Sequence, residues 1–544
     1  MAKVIYICKR SNSDKQDETE VLKKICCRIT PDHLQPNPPV IMKRNGVHIG
    51  IFNPNESILL EKSSVCLGHV IGTEDRWFEP TGKLPDGAYA LFRSNSKYVE
   101  LVSDVVGSRT IWYLHTDDLF IASTSQRMII TYLGKYKPNK KVYPWMLATG
   151  TLGPNLSWDE RLVCLPADAR ITLDRETWKT RIETNSPHFK VHQSSYSEHK
   201  ERLTSAIKET FNQIHFDYSK WVVPLSGGVD SRAVLLFLAN RNKMNTITWG
   251  MEASRRKKET DPFLAKLVSD FYGCTNEFYN IDFSNDESLD IIFDRFLKNG
   301  EGRMDGITCY VDGFSMWKVL HDKGTSGIIR GDEVFGLSRC ENEKEVKAKI
   351  GIDLISDDKN LSHFLYYLGM EPNSMPNHLK RKENETLEVW RDRLYHQFRI
   401  PVVLAALNDL KLSYVEIANP FLSRRIILEA RTLPDELRSD KRLFRDIVHS
   451  LGPDIGYAKT GSIKNILKRD QVVAFIKKEI QNSEVLPDQL THLIMENMLN
   501  THALLKQSPY RIDYYAWGFR AYMIKKMNKI LKEDAAYLKR SSRA

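Results

Sequence analysis

The chain has 544 residues, 42% of them apolar and 27% charged; the composition is that of a globular protein, so disorder is not the expectation, and the length is too great for one hydrophobic core. Its 79 basic and 69 acidic residues give a net charge of +10, modest for the length, and the eight cysteines are scattered without a CxxC, so neither a zinc site nor a disulfide framework is expected. No apolar run approaches the ~18 residues of a membrane span, and Val4 to Cys8 is too short for a secretory core, so a cytoplasmic protein with free thiols is expected.

Residues 1–185 read as β-rich. Short alternating apolar runs at Gly50–Phe52, Tyr89–Phe92, Tyr98–Val102, Thr110–Leu114 and Leu119–Ser123 are separated by turn residues. Helical periodicity is confined there to Asp17–Arg28 and Ser125–Leu133. A polar, proline-bearing stretch at 186–196 marks the boundary, and residues 197–544 form the second unit. Its rhythm changes: helix Glu198–Phe211, strand Trp221–Leu225, helix Arg232–Asn240, strand Thr246–Trp249, helix Pro262–Phe271, strand Glu277–Ile281. This alternation predicts an α/β fold, a doubly wound parallel sheet with helices on both faces, and the chain turns mainly helical after about residue 345. The basic tail (Lys525, Lys526, Lys529, Lys532, Lys539, Arg540, Arg543) reads as a solvated helix end or, alternatively, as a contact for an acidic partner.

The most informative segment is Ser226-Gly227-Gly228-Val229-Asp230-Ser231, between an apolar strand and a helix start. Glycines there let backbone amides approach an oxyanion, and the helix N-terminus supplies unpaired donors and a favourable dipole. Unlike a Walker loop it has no Gly-Lys-Ser/Thr, and an acid, Asp230, lies inside the turn. Among phosphate-binding amides an acid implies an intervening divalent cation, hence magnesium and a pyrophosphate-bearing ligand. An ordinary glycine-rich strand–helix turn is the plain alternative.

The turn resembles the signature of the ATP-pyrophosphatase (PP-loop) enzymes, and the whole chain is similar in layout to the asparagine synthetase family. Ile329-Arg330-Gly331-Asp332-Glu333-Val334-Phe335-Gly336 resembles that family's second acidic loop; Glu416-Ile417-Ala418-Asn419-Pro420-Phe421-Leu422 its Glu-x-Arg-x-Pro-Phe-Leu segment; and Tyr457-Ala458-Lys459-Thr460-Gly461 its lysine near the reacting phosphate, after a basic stretch with Lys441, Arg442 and Arg445. More weakly, Pro85–Ala90, Asp104–Arg109 with Trp112-Tyr113, Ala122-Ser123 and Leu165–Ala167 resemble strands of a class II glutamine amidotransferase. The resemblance implies an N-terminal Ntn-type sandwich of the amidotransferase kind at 1–185 and a synthetase domain at 197–544.

What it implies chemically is adenylation of a carboxylate by ATP, with release of AMP and pyrophosphate, then coupling to an amine. Asp230, Asp332 and Glu333 would hold magnesium, Glu333 being equally readable as an exposed acid at a helix start. Ser226, Gly227, Gly228, Val229, Asp230, Ser231 and Gly331 would cradle phosphates, Thr248 and Gly250 would lie along the adenine, and Arg442 would clamp a phosphate. Lys459, with Asp230 and Asp332, would carry catalysis; Glu301, Arg303 and Asp305 are candidates to touch the substrate. Departures temper this. Residue 2 is Ala2 where the family's glutaminase has its cysteine, and Cys8 lies inside a strand, so a first domain that keeps the fold and lacks glutamine hydrolysis is expected. Ala418 replaces an arginine, and Ile329 stands where relatives shape or deprotonate the nucleophile. Expected partners are small-molecule or peptide carboxylates and amines, ring closure of a peptide included, with no membrane. A catalytically reduced scaffold serving partner proteins of a biosynthetic pathway is the second reading. A tRNA-modifying PP-loop enzyme is the third; it would want catalytic cysteines and a basic, aromatic platform.

Overall fold

The structure, a computed structural model, describes residues 2–11, 17–284, 286–461, 469–481, 484–499, 503–504 and 511–541; Arg543 of the basic tail lies outside them. The first half carries strands β1 (Lys3–Lys9), β2 (Val40–Arg44), β3 (Val47–Phe52), β4 (Leu59–Glu61), β5 (Ser64–Ile71), β6 (Asp86–Ser94), β7 (Tyr98–Ser103), β8 (Trp112–His115), β9 (Leu119–Ser123), β10 (Val163–Cys164), β11 (Ala169–Asp174) and β12 (Lys179–Thr184). They form two six-stranded sheets, ordered β10-β8-β9-β1-β3-β2 and β12-β11-β7-β6-β5-β4, with antiparallel pairing.

Strand periodicity explains the stacking. On β1, Val4, Tyr6 and Cys8 share one face and enter the core between the sheets with Ile49, Leu67, Phe92, Leu101 and Ile171. Ile5 and Ile7 share the other face and pack under helices Glu18–Ile29 and Gln126–Leu133, against Leu22, Ile25 and Met128. Both helices begin where the sequence offers a cap: Asp17 accepts from the Thr19 amide at 3.0 Å, and Ser125 from that of Met128 at 3.3 Å. Ala2 and Cys8 are buried, Cys8 within the inter-sheet core.

The second half carries β13 (Trp221–Pro224), β14 (Asn245–Gly250), β15 (Thr275–Asn280), β16 (Gly327–Ile329) and β17 (Glu416–Ala418), all parallel, in the order β15-β14-β13-β16-β17. Side chains of adjacent residues face opposite layers. Trp221 and Val223 pack with helices Val229–Phe237, Asp261–Tyr272 and Arg442–Leu451, while Val222 packs with Leu289–Gly300 and Ser315–Asp322. Counted along the chain the strand order is third, second, first, fourth, fifth, so the winding reverses between β13 and β16. In open parallel sheets the crevice for a ligand lies there, beyond the carboxyl ends of the strands.

The two halves are not independent layers. Helix Tyr514–Ser541 returns to pack on Gln126–Leu133 and Val142–Thr149, and one apolar core spans Ile5, Ile25 and Met146 of the first half and Phe296, Tyr522 and Ile530 of the second. Buried ion pairs bridge the same seam: Arg127 with Asp534 at 2.7 Å, and Arg109 with Glu416. Ile329 and Ala418, the two departures flagged above, lie opposite one another on β16 and β17 and are fully buried.

Candidate functional site: two acidic loops at the sheet's reversal point

The loop after β13 folds on itself before the helix starts. The Ser226 amide donates to Ser231 Oγ at 3.0 Å, the Gly228 amide to Ser226 Oγ at 3.2 Å, and the Gly227 amide to Asp261 Oδ1 at 2.9 Å. Gly228 is the N-cap of helix Val229–Phe237, which places Asp230 in its first turn, where the dipole favours an acid. Two glycines are dictated by crowding. A Cβ on Gly227 would lie 2.6 Å from Ala458 Cβ, and one on Gly331 would lie 2.8 Å from the Asp230 carbonyl carbon. The loops after β13 and β16 therefore touch backbone to backbone.

A lysine joins them. Lys441 Nζ lies 2.8 Å from Asp230 and 2.9 Å from Glu333. Burial would lower the Lys441 ammonium, but Glu333 and Asp230 hold it above the ordinary lysine value. Burial raises the Glu333 carboxyl, and neighbouring Asp230 adds to the rise against the pull of Lys441. Asp440 and Lys441 both adopt positive φ, 57° and 56°, so two consecutive non-glycine residues hold an unfavourable backbone to aim this ammonium. Glu333 is not at a helix start; it is buried, its carboxylate accepting from the Phe335 amide.

Asp332 is held differently. It pairs with Arg330 at 2.9 Å and accepts from Asn408 Nδ2 at 3.2 Å. Burial would raise its carboxyl; Arg330 and Asn408 outweigh that and hold it below the usual carboxylate range. The donor set thus tests the magnesium expectation. Asp230 and Glu333 converge on one cation position, which Lys441 fills, while Asp332 is turned to Arg330. Among the described residues no group of three ligating side chains comes together. The three acids do not fit a resident magnesium ion.

The other predicted residues fall into two sets. Close to the turn, Ala458 donates its amide to the Gly227 carbonyl at 3.1 Å, which places Lys459 next to the loop; its side chain is exposed and paired with Glu259 at 2.7 Å. Arg232, buried, donates to the carbonyls of Ile455 and Gly456 (2.9 Å to the latter) and lies 4.4 Å from the centre of the Tyr457 ring, tying this segment to the helix behind the turn. Thr248 donates to the Leu225 carbonyl at 2.8 Å, bracing the strand that feeds the turn, and the Gly250 carbonyl is taken by the Ile281 amide. Arg442 does not join the acids; the residue before it does. It lines a surface groove of about 540 Å³ with Arg339, Arg445 and Asp446.

Glu301, Arg303 and Asp305 belong to the seam between the halves. Glu301 pairs with Lys3 at 3.2 Å and accepts from the Gln126 amide at 2.8 Å. Arg303 pairs with Asp409 and donates to Thr110 Oγ1 at 2.6 Å; Asp305 accepts from Arg520 at 2.6 Å. Glu301 and Arg303 thus reach first-half partners (Lys3, Gln126 and Thr110), while the Asp305 carboxylate pairs within the second half.

No family model and no curated protein matches the chain. Among solved structures it is similar to the allosteric regulatory enzyme of purine biosynthesis, with 8% identity, 51% of this chain and 80% of that one covered, and a TM-score of 0.23. It is also similar to glutamine phosphoribosylpyrophosphate amidotransferase from B. subtilis, with 7% identity, 51% and 91% covered, and a TM-score of 0.21.

Proposed function

We propose that the chain is an ATP-dependent, AMP- and pyrophosphate-forming amide synthetase that adenylates a carboxylate and couples it to an amine without hydrolysing glutamine. The observation that carries this reading is the meeting of the Ser226–Ser231 turn and the Gly331–Phe335 loop at the carboxyl ends of β13 and β16, with a lysine between their acids. ATP enters with its own magnesium as substrate. The amides and hydroxyls of the turn take the pyrophosphate end, Lys441 and Arg330 face the charge that leaves, and Lys459 swings from Glu259 to the α-phosphate. Preorganised cations of this kind act where charge grows in the transition state.

Pyrophosphate release against a panel of carboxylates and amines tests it: AMP and pyrophosphate are expected, dependent on the carboxylate, and ADP with orthophosphate refutes the assignment. Asp230→Asn and Asp332→Asn, which would release Lys441 and Arg330 from the positions those carboxylates hold, should each abolish AMP formation. Lys459→Ala should retain nucleotide and lose about 100- to 1000-fold in turnover, the size of one oxyanion-type contact.

A second reading has its own support. Asp230, Glu333 and Asp332 are already neutralised by Lys441 and Arg330, as befits a scaffold that no longer turns over and serves partner proteins of a pathway. Persistence of biological activity in Asp230→Asn decides for it.

A further inference from the structure

The surface groove that Arg442 lines, about 540 Å³ in volume, gathers positive groups from separate segments. Arg339 reaches it from the segment after β16, and Arg442, Arg445 and His449 from one face of helix Arg442–Leu451. Among the described residues none of the three guanidiniums has an ion pair. Of the acids that line the groove, Asp446 is already taken, by Lys200 at 2.7 Å and by the Tyr196 hydroxyl at 2.7 Å. Glu436 and Asp440 are exposed to solvent. Ser439 lines the groove too; only 3% of it is exposed, and its hydroxyl has no hydrogen-bond partner. A buried hydroxyl is rarely left so. The helix start beside it carries no side-chain cap, and its first amides add the positive end of the dipole.

The lining includes neither Lys441 nor the acids that Lys441 holds. Asp440 belongs to the groove, whereas the next residue turns to Asp230 and Glu333, so the groove is separate from the acid loops. Past Arg339, Glu436 and Ser439 it continues into a recess of about 560 Å³, with Val389, Pro434 and the exposed Val191 among its walls.

We propose that this groove binds a diphosphate group, free or carried on an organic body. Guanidinium forks pair bidentately with phosphate oxygens, and three forks call for more oxygens than orthophosphate carries. A diphosphate supplies them, and the Ser439 hydroxyl gains the acceptor it lacks. The body of a diphosphate ester runs into the adjoining recess, over Val389 and Pro434. Binding makes and breaks no covalent bond, and it does not depend on the adenylating reading.

Calorimetric titration of the full chain without magnesium tests it, with orthophosphate, pyrophosphate and geranyl diphosphate as probes. Pyrophosphate should saturate the protein and bind at least about 10-fold tighter than orthophosphate, the worth of one added charged contact. Arg442→Gln and Arg445→Gln should each weaken it about 10-fold or more, and Glu436→Gln should tighten it by removing a like charge. Ser439→Ala should weaken binding and leave the melting temperature of the free protein unchanged, because its hydroxyl has no bond to lose. Gly331→Ala, whose defect lies at the acid loops, should bind pyrophosphate as wild type does. Geranyl diphosphate binding tighter than pyrophosphate, with the gain lost in Val389→Asp, marks an ester as the ligand; equal affinities mark free pyrophosphate. Failure of both diphosphates to saturate overturns the inference, as does orthophosphate binding equally well. Binding lost in Gly331→Ala but kept in both arginine variants places the anion at the nucleotide turn and overturns it too. Should either arginine variant melt below wild type, Arg339→Gln, on a separate segment, gives the same reading.

Discussion

Lys441 holds two acids from two loops on one ammonium, so its loss leaves Asp230 and a buried Glu333 facing each other uncompensated. Lys441→Met should cost about 2 to 4 kcal/mol in urea denaturation, the lower end reflecting the access of Asp230 to water. Glu333→Gln in the same background should restore part of it. Gly331 is equally unforgiving: Gly331→Ala drives a methyl into the Asp230 carbonyl and should cost about 1 to 3 kcal/mol, with nucleotide binding lost in calorimetric titration. Lys411, buried beside Arg330, gives a pH signature. An unfolded lysine binds its proton up to about pH 10.4, whereas the folded one releases it near 7. Between those values the unfolded state holds more protons, so stability rises with pH, at most by about 1.4 kcal/mol per pH unit for one proton. Lys411→Met should flatten this slope and be the more stable protein at pH 6, as read from melting temperatures across pH 6 to 9.

At the scale of elements, periodicity marked most of what formed. The alternating runs became β3, β6, β7, β8 and β9, and the strand–turn–helix around Gly227 and Gly228 formed within a few residues of where glycine and helix signals place it. Boundaries moved for local reasons. The helix after the turn starts at Val229 rather than Arg232, because Gly228 serves as cap and the first turn needs no apolar residue. Pairings across the chain were not legible. Lys441 and Arg442 are neighbours in one basic stretch, and only the left-handed turn at Asp440–Lys441 decides which of them reaches Asp230, 211 residues away in sequence. Asp261, which accepts the Gly227 amide, looks from sequence like any acid in a helix's first turn. Nor did composition distinguish Glu301, Arg303 and Asp305 as seam residues from ligand contacts, since both tasks use the same polar groups. Asp534, buried between Arg28 and Arg127, shows how much the seam carries. Asp534→Ala should cost about 3 to 5 kcal/mol in chemical denaturation by leaving the buried Arg127 guanidinium without its carboxylate, whereas the partly exposed Arg28 keeps Glu533.

For the whole molecule, a shared core predicts shared unfolding. A single calorimetric endotherm is expected rather than two, because the apolar layer beneath β1 is completed by residues from both halves. Two separated transitions would show that the seam is weaker than its burial indicates. Of the basic residues of the last helix, Lys526 pairs with Asp290 at 3.1 Å, a tie within the fold.

The return of helix Tyr514–Ser541 onto Gln126–Leu133 also sets a timetable for synthesis. The covering for the first half is translated more than three hundred residues after β12 has left the ribosome. At about 5 to 20 residues per second the nascent sandwich waits roughly 15 to 70 seconds with Met128, Met146 and their neighbours open to water. A growing chain in that condition is a natural client for chaperones that shield apolar surface, and rare codons within the last helix would lengthen the exposure at its most vulnerable point.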